Sequence, residues 1–138
     1  MKALNLKAMF AMVFFAAVTM VSCKKNKEEI LIPAEPVAKI EGQWIGKYGN
    51  KLNPPSNFYA FNILPNGVLQ VLDDQKAVTG MGTWVLEDGQ TFKAVYKYNN
   101  GIVKYNLAAK YDAAAKKING SWGAGEEVAD DGEFFLAK

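Results

Sequence analysis

Gly80-Met81-Gly82-Thr83-Trp84-Val85-Leu86-Glu87-Asp88-Gly89-Gln90-Thr91-Phe92-Lys93-Ala94-Val95-Tyr96-Lys97-Tyr98 is two runs of β-branched and aromatic residues joined by Glu87-Asp88-Gly89. In a strand, successive side chains point to opposite faces. Alternation puts Gly82, Trp84 and Leu86 on one face of the first run. On the second, Phe92, Ala94, Tyr96 and Tyr98 oppose Lys93 and Lys97. One face is therefore apolar and the other wet, and Asp-Gly between such runs reads as a hairpin.

The same grammar extends in both directions. Turn chemistry recurs at Pro65-Asn66-Gly67, Asp73-Asp74, Asn99-Asn100-Gly101 and Asp130-Asp131-Gly132. It divides residues 39–138 into eight expected strands, at 39–49, 56–64, 67–73, 78–87, 90–98, 101–112, 115–123 and 132–138. Leu107 to Lys117 is rich in alanine, but Val103, Tyr105 and Leu107 alternate, so strand, turn and strand are expected there. Short connections join antiparallel neighbours, which predicts an all-β, eight-stranded, antiparallel up-and-down barrel.

Within that barrel, Ile40, Gly42, Trp44 and Tyr48 are expected to face inward while Glu41, Gln43 and Lys47 meet water. Val103, Tyr105, Leu107 and Tyr111 follow on strand six, and Ile118, Gly120 and Trp122 on strand seven. Strand eight offers Phe134 and Leu136, or Phe135 if the register moves by one. Eight strands enclose either a filled core or room for one small ligand. Buried tyrosines need hydroxyl partners, which suits a wet pocket better than a dry core. The candidate ligand-binding residues are Trp84, Tyr96, Tyr98, Tyr105 and Trp122.

Each tryptophan follows a glycine by two residues: Gly42 with Trp44, Gly82 with Trp84, Gly120 with Trp122. On one sheet face this sets a gap beside an indole, into which a neighbouring backbone or ring can move. Gly42-Gln43-Trp44 on the first strand resembles the signature that opens lipocalins and their relatives, and residues 39–138 resemble the lipocalin-like domains of bacterial lipoproteins. The resemblance implies that Gly42 and Trp44 are structural, at one end of the barrel, with ligand entry at the other.

Upstream, Lys2 and Lys7 precede an apolar run of 14 residues, Ala8 to Val21, broken only by Thr19. That is short of the roughly 20 residues a spanning helix needs, and it matches the apolar region of a secretory signal. Met20-Val21-Ser22-Cys23 resembles a lipobox, with Met20 where the pattern usually carries leucine. Residues 1–22 are then a lipoprotein signal peptide, and 23–38 a lipidated cysteine and flexible tether. A plain cleaved signal or a buried cysteine are the other readings of Cys23. Lys27-Glu28-Glu29 resembles an export signal toward the outer face of the outer membrane, and reads equally as a solvated spacer.

All 16 basic residues are lysine. Without arginine or histidine the chain lacks a bidentate anion grip, an imidazole base and imidazole metal ligands. Residues 23–138 carry 14 lysines against 14 acids, which argues against nucleic acid as a partner. Glu126, Glu127, Asp130, Asp131 and Glu133 read as a solvated acidic loop, with a calcium site as the minority reading. No enzyme activity, cofactor or metal is expected. The expected protein is a monomeric, lipid-anchored envelope protein of the outer membrane, on its periplasmic face or the cell surface, holding a small hydrophobic or amphipathic ligand. The alternative is a filled barrel that docks an envelope protein, hydrolase or glycan through its loops, with 50–57 the first candidate.

Because one acyl chain holds only reversibly and two or more anchor stably, Cys23→Ala is expected to move the protein from the membrane fraction to the soluble fraction with its body folded. Fractionation with circular dichroism checks this, and full membrane retention would refute the anchor.

Overall fold

A computed structural model describes residues 39–126 and 129–138; Cys23, the leader 1–22 and the tether 23–38 lie outside the described residues. Eight antiparallel strands follow one another around a closed barrel: β1 Gly42–Tyr48, β2 Asn57–Leu64, β3 Val68–Leu72, β4 Val78–Glu87, β5 Thr91–Tyr98, β6 Tyr105–Asp112, β7 Lys117–Ala124 and β8 Gly132–Ala137. Every strand pairs with its sequence neighbours, and β1 closes the sheet on β8, Ile45 opposite Ala137 and Tyr48 opposite Phe134.

The connections fall into two sets. At the base lie a 3₁₀ turn at Pro65–Gly67 and the turns at 88–90 and 113–116. At the mouth lie 49–56, 73–77, 99–104, 125–126 and 129–131. Asn66 adopts a left-handed φ of 63° and Gly67 one of 77°, the conformations their residue types tolerate. In the 73–77 turn the Asp73 carboxylate accepts the N–H groups of Gln75 and Ala77 at 3.0 and 2.8 Å, so Asp73 is a turn former.

Inward alternation fills most of the barrel. Trp44, Phe61, Ile63, Leu69, Phe92, Ile118 and Leu136 are wholly buried, and Phe134, not Phe135, faces the core. Trp44 seals the base. Its indole N–H donates to the Ile40 carbonyl at 2.6 Å, and the edge of Tyr111 meets it at 5.9 Å. The Lys138 ammonium stands 5.5 Å from the Trp44 ring centre and donates to the carbonyls of Lys39 and Glu41.

One expected strand is shorter than its sequence pattern. β6 begins at Tyr105, and Val103 lies in the preceding loop, half exposed, instead of facing inward. Asn99 is drawn across to β4, its N–H donating to the Thr79 carbonyl at 2.8 Å and its side chain to the Val78 carbonyl at 3.2 Å. The β5–β6 ladder therefore ends at Tyr96 opposite Tyr105. Tyr98 keeps its inward side but sits at the rim, 37% exposed.

Glycines allow the curvature. A Cβ on Gly82 would meet the Val95 carbonyl oxygen and lie 2.6 Å from the Tyr96 Cβ; one on Gly120 would meet the Ala108 carbonyl and lie 2.5 Å from Ala109. Beside Gly42 the space is occupied by the Lys138 side chain at 3.1 Å. Gly82→Ala is thus expected to destabilise the barrel by about 1–3 kcal/mol, as overpacking does. Gly89→Ala has open space around it and only a positive φ of 67° to overcome, a cost of about 1 kcal/mol. Urea unfolding of the two variants checks the contrast; a Gly82→Ala protein as stable as the parent would contradict the close approach.

Candidate functional site

The interior opens at the mouth. There a cup of about 130 Å³ is lined by Tyr48, Tyr59, Tyr96, Tyr98, Tyr105 and Trp122. Strand direction explains who meets whom. Tyr48 ends β1, Tyr98 ends β5 and Trp122 stands near the end of β7, while Tyr59 and Tyr105 open β2 and β6. Alternate strands run opposite ways, so these ends and beginnings share one rim.

The rings interlock. Tyr48 and Trp122 meet edge to face at 5.5 Å and 87°, Tyr98 and Tyr105 at 5.5 Å and 79°, and Tyr96 stacks on Tyr105 at 5.2 Å and 15°. Edge-to-face geometry sets the positive rim of one ring against the negative face of another, a contribution of about 0.5–1.5 kcal/mol per pair beyond burial. The indole N–H of Trp122 donates to the Gly49 carbonyl at 2.8 Å, tying β7 to the loop after β1. That loop is itself held, Gly49 N–H bonding the Glu133 carbonyl and Lys51 N–H the Asp131 carbonyl, both at 2.9 Å.

At the floor of the cup the hydroxyls of Tyr59 and Tyr96 bond each other at 2.8 Å. Burial pushes both phenols well above the usual tyrosine range; at Tyr59 the bond to Tyr96 opposes the rise. Burial also raises Tyr98. Burial therefore favours the neutral form of Tyr59, Tyr96 and Tyr98, which offer rings, O–H donors and oxygen acceptors. No lysine or carboxylate lines the cup.

Of the residues singled out in the sequence, the fold brings Tyr96, Tyr98, Tyr105 and Trp122 together. Trp84 does not join them. It lies toward the base, its N–H donating to the Leu64 carbonyl at 2.8 Å and its ring stacked on Phe92 at 6.3 Å. Gly42 and Trp44 also stand at the base. Tyr59 also lines the cup and was not singled out in the sequence, because Phe58-Tyr59-Ala60-Phe61 is apolar on both faces and alternation cannot choose between them. Tyr48 was legible as inward-facing, though not as part of the site.

Other hollows lie on the outer surface, against loops and strands. One of about 440 Å³ is lined by 50–54, Asp130 and Glu133, another of about 840 Å³ by the 88–90 turn and the Lys110–Ala113 stretch. The acidic loop disperses its carboxylates: Glu126 pairs with Lys104 at 3.1 Å, Asp130 with Lys51 at 3.3 Å, and Asp131 accepts the Ala124 N–H at 2.7 Å. Among the described residues no cluster of three metal-ligating side chains occurs.

Against known proteins, no family model, no curated protein and no solved structure matches this chain. What fold and site define is a closed eight-stranded up-and-down barrel with a filled body and a tyrosine-lined mouth.

The buried phenols make stability fall at alkaline pH. An unfolded tyrosine loses its proton near pH 10, while Tyr59 and Tyr96 in the barrel hold theirs to higher pH. The unfolded state then binds fewer protons, so stability is flat below about pH 10 and declines above it, by about 1.4 kcal/mol per pH unit for each phenol. Urea unfolding between pH 8 and 11 checks the slope, and the double variant Tyr59→Phe/Tyr96→Phe is expected to flatten it.

Proposed function

We propose that this chain is a lipid-anchored, non-catalytic binding protein of the cell envelope, lipocalin-like, whose barrel grips one end of a small hydrophobic or amphipathic ligand at its mouth. The observation that carries the reading is the cup itself, where inward aromatic side chains of several strands leave room. Its lining combines ring faces and edges with hydroxyls, the mixture that binds a group both apolar and polar. A base sealed by Trp44 opposite an open mouth agrees with the arrangement that the lipocalin resemblance implies.

Size limits the ligand. Small-molecule pockets usually span roughly 300–1,000 Å³, whereas this cup is about 130 Å³. A dry cavity of about 150 Å³ holds one benzene ring. The cup therefore takes one ring or a compact head group, and the rest of a longer ligand stays outside. Within the cup the only ionisable groups are phenols, which supports binding over catalysis. The anchor at Cys23 and the outer-membrane address belong to the same proposal and rest on the leader sequence.

A second reading has its own observation. On the outer face, Ile45 is flanked across the strands by Ala60 and Ala137 and diagonally by Phe58 and Phe135. Ile45, Phe58 and Phe135 are each more than 40% exposed. A patch of this kind suits a filled barrel that docks a protein partner.

Titration of the protein with a panel of single-ring and short-chain amphipathic compounds, followed by amide NMR, separates the two. Saturable shifts concentrated at Tyr48, Tyr98, Tyr105 and Trp122 are expected. A panel that leaves the mouth unmoved would sink the ligand reading.

A further inference from the structure

The nature of the cup's occupant can be taken further, resting on the reading that the mouth is the binding site. We propose that the mouth receives a compact organic cation, a quaternary ammonium group held by cation–π attraction. A cation over an aromatic face is drawn by the ring quadrupole, and cages of such rings are the ordinary receptors for methylated ammonium.

The lining is wholly aromatic, five tyrosines and one tryptophan, with no charged side chain to compete for the centre. Its walls stand at steep angles: Tyr48 against Trp122 at 87°, Tyr98 against Tyr105 at 79°, Tyr48 against Tyr59 at 53°. Tyr96 and Tyr105 are near parallel, but they stack on each other at 5.2 Å and leave no slot between them for a planar ring. Walls turned in several directions fit a rounded group better than a flat one. The volume agrees as well. Scaling from benzene, with six carbons in about 150 Å³, a nitrogen and its four carbons need about 125 Å³, and the cup offers about 130 Å³.

Charge around the rim supplies an independent argument. Among the described residues, the mouth loops 49–56, 73–77, 99–104, 125–126 and 129–131 carry five carboxylates (Asp73, Asp74, Glu126, Asp130, Asp131) against three lysines (Lys51, Lys76, Lys104). The ion pairs of Lys51 with Asp130 and Lys104 with Glu126 neutralise two of each sign. Asp73, Asp74 and Asp131 are left against Lys76 among the described loop residues. A net negative collar around a low-dielectric cup concentrates cations there. The described chain ends at the base lean the other way, with Lys39, Lys116 and Lys138 against Glu41 and Asp88.

Competing occupants meet specific obstacles. An anion would find no lysine in the cup, among phenols whose own ionisation burial already resists. A protonated amine would bring N–H donors that need acceptors, and the cup offers it only phenol oxygens, two of which, on Tyr59 and Tyr96, already share a hydrogen bond. A methylated nitrogen has no N–H to satisfy and spreads its charge over methyl groups.

Calorimetric titration of the full chain with three probes of one shape tests this: choline, its uncharged isostere 3,3-dimethyl-1-butanol, and the anion 3,3-dimethylbutanoate. Choline is expected to bind about tenfold more tightly than the alcohol, with affinity falling as salt rises. At the exposed rim, Tyr98→Leu is expected to weaken choline several-fold while Tyr98→Phe, which keeps the ring, stays close to the parent. Equal binding of alcohol and choline, or preference for the anion, would overturn the cation while leaving the mouth as the site. The cation also falls if none of the three binds while other panel compounds still shift the mouth amides. If nothing shifts those amides, the cation and the site fall together.

Discussion

A sheet of eight strands can close only if it coils strongly, and coiling drives the backbone of one strand over the side-chain positions of the next. In this chain those positions are held by glycine. Gly46 lies beneath the Phe135 carbonyl at the β1–β8 seam, Gly82 beneath the Val95 carbonyl, Gly120 beneath the Ala108 carbonyl and Gly132 against the Gly49 carbonyl. A methyl group at any of them would meet backbone, which cannot rotate away as a side chain can. Closure also removes both sheet edges, so no unpaired row of N–H and C=O groups is left to recruit another chain. The aromatic interior and the mouth both follow from this closure, because it points every second side chain at one axis.

A barrel of this size has an interior just wide enough for its own side chains, and here the fill is uneven along the axis. Toward the base, Trp44, Phe92, Ile63 and Leu69 pack without polar atoms exposed to one another, and the indole N–H groups of Trp44 and Trp84 are consumed by the carbonyls of Ile40 and Leu64. Toward the mouth, tyrosine replaces phenylalanine and leucine. Each phenol adds a hydroxyl that must find a partner or reach water. Tyr59 and Tyr96 find each other, and no buried side-chain donor or acceptor among the described residues is left without a partner.

Much of this was legible in the residues. β4 and β5 keep their expected faces because alternation, propensity and the Asp88-Gly89 turn agree. The alanine-rich stretch is strand, turn and strand because Leu107 and Tyr111 keep period two through it. Three features were hidden, each for a different reason. Tyr59 sits in a run that is apolar on both faces. Asn99-Asn100-Gly101 has the composition of a tight turn, but Asn99 bonds to β4, and the next strand cannot pair until Tyr105. Trp84 shares a face with the cup residues but not a height: it pairs opposite Ala94, nearer the base, whereas Tyr96 pairs opposite Gly82. Period two fixes the face a side chain takes. Its level along the barrel axis depends on strand direction and register, which are properties of pairing and not of any one strand.

If the cup binds a ligand as proposed, its placement on strand ends has an energetic consequence. Tyr48, Tyr59, Tyr98, Tyr105 and Trp122 belong to paired strands, so their backbones are fixed by the ladder before any ligand arrives. Their rings are held again by one another and, at Trp122, by the Gly49 carbonyl. Ordering a loop or a rotamer-rich side chain on binding costs about 0.5–1.5 kcal/mol per side chain, and a tyrosine has only two torsions to lose. A chain without arginine or histidine cannot rely on charged forks to recover such costs. Rigid rings that are already in place let a small contact area suffice, and they do so without bringing a lysine in from the wet outer face of the barrel.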